Sequence, residues 1–173
     1  MKDKNKGFTL VELLAVIVVL AIIMIIAVPS VLSSMDNARK NTFVIEARKI
    51  LNSAMAKRQS NELTGNINAG ATSVSIKMNG ATTAVSYYCY TLSGIGVDAG
   101  GRYHGVVLYN PTNQTWYLKM SDGTNMTSGT NVTSTSKNGL SGFKTLEELN
   151  TSSNVVANTV ATATIAGLDL CTF

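Results

Sequence analysis

The pattern of apolar and polar positions divides the chain into three stretches. Residues 13–35 contain no charged side chain, and Phe8 to Val28 is a nearly unbroken apolar run. About 20 apolar residues, at about 1.5 Å each, cross the roughly 30 Å core of a bilayer, so a helix over this run could span a membrane. The apolar residues then recur three and four apart from Asp36 to about Arg58, which predicts that the helix continues with two faces. Beyond Gly70 the period changes to two, which predicts strands.

The amphipathic stretch places its apolar residues on one stripe. Phe43, Ala47, Ile50 and Ala54 define that stripe, and Val44, Leu51 and Met55 widen it. Charged side chains occupy much of the remaining surface, where a solvated face is the usual outcome. A half-apolar helix of this kind needs a sheet to cover its stripe, so we expect the later strands to pack on it.

The strand region predicts a series of antiparallel pairs and therefore an α+β fold. Residues 73–78 alternate and are followed by Asn79-Gly80, which favours a type I′ hairpin returning as Ala81–Tyr90. The other expected elements are a pair at Gly105–Tyr109 and Thr115–Met120, a surface loop or ragged hairpin at Ser121–Asn138, a helical turn at Lys144–Leu149, and strands at Val155–Val160 and Thr162–Ile165.

Glu12 is the one charged residue inside the apolar run. A carboxylate in a membrane segment costs about 2.5–3.5 kcal/mol on insertion scales, so it is by default functional and has a partner. Cleavage before Phe8 would create an α-amino group four residues away, and another copy of the chain could offer that amine to Glu12. The residues therefore suggest a processed membrane helix that associates with itself.

The stretch Lys6-Gly7-Phe8-Thr9-Leu10-Val11-Glu12-Leu13-Leu14 resembles the processing site of type IV pilins and the related pseudopilins, and Pro29 matches the proline in their N-terminal helix. The resemblance implies that a membrane peptidase cuts between Gly7 and Phe8 and then N-methylates Phe8. It also implies that Glu12 pairs with the Phe8 amine of a neighbouring subunit. We expect a kink at Pro29, which lacks the N–H that would bond the carbonyl of Ile25.

The resemblance implies four segments: a leader at 1–7, a transmembrane half-helix at 8–29, an amphipathic half-helix at 30–59 and a β-rich head at 60–173. It further implies a cell-surface filament for adhesion or twitching motility, a homopolymer built by an assembly platform and its ATPase, with the subunit held in the membrane beforehand. The alternative is a pseudopilin of a type II secretion or DNA-uptake system.

The first stretch has two alternative interpretations, a secretory signal peptide and a simple membrane anchor. A secretory signal has an apolar core of about 7–15 residues and a small-x-small cleavage site after it. The run here is longer, and no such site follows it. A simple membrane anchor would need neither Gly7 nor Glu12.

Charge is unevenly distributed along the chain. Three lysines and one aspartate give the leader a charge of +2, whereas residues 60–173 carry −1 within a total of +4. The basic leader fits the cytoplasmic side of the membrane. The near-neutral head has no evident basic face, which argues against a dedicated nucleic-acid surface.

The chain has two cysteines, Cys89 and Cys171. An exported protein meets an environment that permits disulfides, and many type IV pilins pin their C-terminal end with one. We favour a bridge between the two, and the alternative is a pair of free buried thiols. With one histidine besides, the soft ligands are too few for a closed zinc site.

No set of residues predicts catalysis, a cofactor or a metal. His104 lies in a glycine-rich loop, and Asp98, Asp122 and Asp169 are too scattered to favour calcium over solvated carboxylates. The aromatic residues could stack on a glycan if exposed, but on strands they more often complete the core. They are Tyr87, Tyr88, Tyr90, Tyr103, Tyr109, Trp116 and Tyr117.

Overall fold

The computed structural model describes residues 8–77, 83–97, 102–127, 140, 143–150, 154–157 and 171. The helix α1 covers Leu10–Leu63, and the strands are β1 Ala71–Lys77, β2 Ala84–Thr91, β3 His104–Asn110, β4 Thr115–Ser121, β5 Asn125–Thr127 and β6 Val155–Ala157. Single 3-10 turns lie at Ser93–Ile95 and Glu148–Asn150. The chain divides into two compact units, Met1–Arg39 and Lys40–Phe173.

The first unit contains the apolar half of α1. Every large apolar side chain from Leu10 to Leu32 is between 48% and 81% exposed, so the described residues leave this surface largely uncovered. In the described part of the chain, α1 is the helix long and apolar enough to cross a membrane, with a mean hydropathy of 3.3 over its best window. Pro29 lies inside the helix, and the kink there stays a prediction.

In the second unit, residues 40–63 form the C-terminal half of α1, which packs on the sheet. Its buried apolar residues are Phe43, Val44, Ala47, Ile50, Leu51 and Ala54, and Met55 packs against them from the edge. This is the stripe that the three-and-four spacing predicts. The predicted α+β class, a long helix on an antiparallel sheet, is confirmed.

The helix ends at Leu63, five residues beyond the expected end at Arg58. Asn61 explains the extra turn, since it is buried and its side-chain amide donates to the carbonyl of Ala69 at 2.8 Å. The Thr64 hydroxyl caps the carbonyl of Asn61 at 2.9 Å. Gly65 then adopts a φ of +78°, a left-handed conformation that stops the helix and that glycine takes without strain.

The six described strands form a single antiparallel sheet in chain order, β1 to β6. The expected pair at Gly105–Tyr109 and Thr115–Met120 is present as β3 and β4, with Asn110 opposite Thr115. A two-residue turn centred on Asn79-Gly80 would pair Lys77 with Thr82, but β1 pairs Lys77 with Ala84. The predicted hairpin therefore exists in a different register, and residues 79–80 lie outside the described residues.

The later expectations are met in part. Asn125–Thr127 forms β5, whose side chains are all buried, so the polar stretch after Ser121 contributes to the core more than its composition suggests. A 3-10 turn stands at Glu148–Asn150, and Val155–Ala157 forms β6. The strand expected at Thr162–Ile165 lies outside the described residues.

One face of the sheet packs on α1 through an aromatic cluster. The Trp116 ring lies 4.7 Å from Tyr109 and 5.9 Å from Tyr90, measured between ring centroids. The Arg58 guanidinium stacks 4.0 Å from the Tyr109 centroid and donates hydrogen bonds to Asn68 and to the Tyr90 hydroxyl. Most of the predicted aromatic set thus completes the core, and Arg58 ties the helix to the sheet through a cation–π contact.

The opposite face of the sheet carries a second core. Tyr87, Cys89, Val106 and Leu108 pack there with Phe143 from the C-terminal segment. Cys89 is fully buried and forms a disulfide with Cys171, with the two Cα atoms 5.8 Å apart. Cys171 is therefore held covalently against the face that α1 leaves uncovered.

Lys119 is an unexpected member of this second face. Its side chain is 8% exposed, and its ammonium lies 5.4 Å from the centroid of the Phe143 ring. Burial penalises the charged form and lowers the pKa of Lys119 to about 8. Burial also raises the pKa of Tyr87 on the same face.

We expect the free energy of unfolding to rise between pH 8 and pH 9.5. In this range the unfolded chain holds a proton on Lys119 that the folded chain has lost, so raising the pH favours the folded state, by up to about 1.5 kcal/mol. Urea unfolding of Lys119→Met should lose this rise, whereas Lys57→Met, on the exposed helix surface, should keep it. Equal pH slopes in the wild type and in Lys119→Met would contradict the assignment.

Candidate functional site

The start of α1 is built around a reciprocal pair of hydrogen bonds. Thr9 precedes the helix, and its hydroxyl accepts from the backbone N–H of Glu12 at 3.3 Å. In return, the backbone N–H and the hydroxyl of Thr9 donate to Oε2 of Glu12, at 2.9 Å and 2.8 Å. This is a capping box, in which the side chains at the N-cap and three residues later satisfy backbone donors that the helix leaves free.

The capping box leaves half of the Glu12 carboxylate available. In the described residues, Thr9 supplies every hydrogen bond that the Glu12 carboxylate accepts, and both go to Oε2. The second oxygen, Oε1, can accept from another group without disturbing the cap. An ammonium group is a suitable partner, because charge-assisted hydrogen bonds to a carboxylate are the stronger kind.

The sequence-predicted residues meet different outcomes in the structure. Phe8 is 91% exposed, directly before the capping box, and Gly7 lies outside the described residues. Cys89 and Cys171, favoured as a disulfide, are bridged. Among the described residues no group of three or more His, Cys, Asp or Glu side chains could hold a metal.

Sequence reasoning missed the role of Thr9. The signal was present, because Thr9-Leu10-Val11-Glu12 has the spacing of a capping box and stands directly before an apolar run. The prediction for Glu12 used only its isolated charge and left out the Thr9 hydroxyl three residues before it.

If the chain assembles through Glu12, Thr9→Val should reduce that assembly several-fold and leave membrane insertion intact. The change keeps the volume of the side chain but removes the hydroxyl that orients Oε2, and loss of such a cap costs about 1 kcal/mol. Sheared filament protein per cell measures the effect. Thr9→Ser keeps the hydroxyl and should assemble normally; equal yields from the Val and Ser variants would contradict a positioning role for this group.

Comparison with known proteins bears on this same region. Residues 2–28 match the family model of the prokaryotic N-terminal methylation motif. No curated protein matches the chain, and no solved structure does either. The matched residues contain the expected cleavage site, the capping box and most of the exposed apolar half of α1. The chain therefore carries the N-terminal methylation signature of type IV pilins and pseudopilins, followed by an α+β domain with a pilin-like architecture.

Proposed function

We propose that the chain is the structural subunit of a type IV pilus filament, cleaved after Gly7 and assembled through its N-terminal helix. The observation that carries this proposal is the methylation motif joined to an apolar helix whose side chains the described part of the chain leaves exposed. An apolar surface that extends over about six helical turns is stable only when lipid or other copies of the helix cover it. In a pilin-like subunit, lipid covers this surface before assembly, and neighbouring helices cover it in the filament.

In this proposal, processing creates the group that Glu12 needs. Lys2, Lys4 and Lys6 hold the leader on the cytoplasmic side until a prepilin peptidase removes it. Cleavage exposes the α-amino group of Phe8, which is then N-methylated. The amine of one subunit pairs with Oε1 of Glu12 in the next, while Thr9 keeps Oε2 occupied.

This pairing sets the register of subunits rather than driving assembly by itself. Transfer of the apolar helix from lipid to a filament core exchanges one apolar environment for another, so it gains little hydrophobic free energy. An unpaired carboxylate in either environment is costly, and each Glu12 is satisfied only where a neighbouring amine meets it. The assembly platform and its ATPase would supply the work of extraction.

The head suits the outside of a filament. Residues 60–173 are near neutral in charge, and a disulfide holds Cys171 to Cys89 on the second face of the sheet, as an extracellular location permits. The filament would serve adhesion, surface attachment or twitching motility. A transmission electron microscopy comparison of wild-type cells with a deletion strain tests this: long surface filaments should vanish on deletion. Unchanged filaments with a secretion or DNA-uptake defect would instead identify a pseudopilin.

We expect Gly7→Leu to leave the leader attached. The peptidase must accommodate the residue before the cut at close range, and a branched side chain fills space that glycine leaves open. The measurement is the N-terminus of the membrane-extracted protein, which should begin at Met1. A mature Phe8 terminus in this variant would contradict cleavage at that bond, and Asn5→Leu serves as a leader control that should still be cut.

A further inference from the structure

A cleft of about 630 Å³ opens between the C-terminal half of α1 and the turn that joins β3 to β4. The helix contributes Arg48 and Asn52 to its wall, the turn contributes Gln114, β4 contributes Trp116, and Glu147 closes the third side. The volume falls within the range of about 300–1,000 Å³ that is usual for sites that bind small molecules. The whole cleft lies within the second compact unit.

Four of the polar side chains that line this cleft have no partner among the described residues. Within the part of the chain that the structure describes, the side chains of Arg48, Asn52, Gln114 and Glu147 make no hydrogen bond or ion pair, and Nε of Arg48 is buried without an acceptor. Neighbouring charges behave differently: Lys144, for example, reaches Glu148. Asn52, Gln114 and Glu147 are exposed and can exchange water for a ligand, whereas the buried Nε of Arg48 is a donor that a ligand's acceptor would satisfy.

Trp116 gives the cleft a rigid aromatic wall. The ring is half-buried and held from behind by Tyr109 and Tyr90, so it cannot turn freely. Gln114, two residues earlier, is held at a φ of +56°, which is uncommon for a residue other than glycine. The turn therefore holds the backbone of Gln114 at the edge of the cleft that Trp116 also lines.

This combination matches the chemistry of a sugar. The C–H face of a pyranose packs on an aromatic ring, and its hydroxyls both donate and accept, as the amides of Asn52 and Gln114 also do. An anionic ligand would meet Glu147, and a cationic ligand would meet Arg48. A neutral polyhydroxyl ligand can use both charged groups without repulsion.

We propose that this cleft binds a neutral carbohydrate, about one or two pyranose units long. The proposal is independent of the methylation motif, because every residue it uses lies in the second compact unit and none lies in residues 2–28. The cleft would give the α+β domain a ligand-binding site.

The chain itself provides the probe, because Trp116 is its single tryptophan. The full chain, in a zwitterionic detergent without a sugar headgroup, is titrated separately with maltose, cellobiose, lactose and N,N′-diacetylchitobiose while tryptophan emission is recorded. At least one sugar should change the emission saturably, with a dissociation constant of about millimolar order. Asn52→Ala should weaken that binding about tenfold or more, and Asn41→Ala, an exposed asparagine on the same helix, should leave it unchanged.

Three results would overturn the proposal. The first is no saturable change with any of these sugars up to about 50 mM. The second is equal binding by Asn52→Ala and the wild type. The third is an emission change that follows self-association without sugar and disappears in Asn52→Ala, which would assign the cleft to contact with a second copy of the chain.

Discussion

Surface filaments are expected to disappear when Glu12 is replaced by Val, although the subunit is still inserted and cleaved. The substitution removes the carboxylate that the Phe8 amine of a neighbour would meet, and leaves that amine unpaired inside an apolar assembly. Loss of one partner of a buried charge pair costs about 3–5 kcal/mol, which would lower the yield of filament well over tenfold. The apolar run becomes more hydrophobic, so insertion should not suffer.

The matched control for this experiment is Glu62→Val. Glu62 is an exposed acid near the other end of α1, and its replacement changes charge and volume by the same amount. The measurement is sheared filament protein per cell, with total subunit in membranes as the reference. Normal filament yield from Glu12→Val would contradict pairing at this carboxylate.

Removal of the Cys89–Cys171 bridge is expected to destabilise the head by about 4–5 kcal/mol. The bridge closes a loop with a sequence separation of 82, and the chain-entropy model gives about this value for a loop of that length. Domains are typically stable by about 5–15 kcal/mol, so the loss is a large fraction of the total. The contact of Cys171 with the second core should be lost first, because the bridge holds Cys171 to β2.

Urea unfolding of the double variant Cys89→Ala/Cys171→Ala, followed by Trp116 emission, measures this effect. The wild type in excess reductant should approach the stability of the variant, whereas reductant should not change the variant itself. A difference below about 1 kcal/mol between the oxidised wild type and the variant would contradict the expected stabilisation.

The sequence predicts the elements of this fold better than their ends. The apolar stripe from Phe43 to Ala54 could be predicted because buried residues of a helix recur at helical spacing in the sequence. The extra turn to Leu63 could not be predicted from the sequence. Asn61 has a polar side chain, and it is buried because that side chain hydrogen-bonds to the carbonyl of Ala69. The turn signal at Asn79-Gly80 is local, whereas the register of β1 against β2 is set by the whole ladder.

The second face of the sheet was equally hard to foresee. An alternating strand shows that one of its faces is apolar, but the burial of Lys119 depends on Phe143, 24 positions along the chain. Arg58 likewise looked like part of a solvated charge run until its contacts with Tyr90 and Tyr109 were seen. The cleft at Trp116 is lined by elements that are far apart in sequence. No local sequence pattern predicts such a cleft.

Mass spectrometry of protein sheared from the cell surface tests the proposed filament subunit most directly. The account predicts a chain that begins at N-methylated Phe8 and carries a closed Cys89–Cys171 bridge. Mature chain that stays in the membrane fraction, with none in the sheared material, would contradict the pilus assignment and favour a pseudopilin. A surface chain that still begins at Met1 would contradict processing at Gly7 and, with it, the central claim.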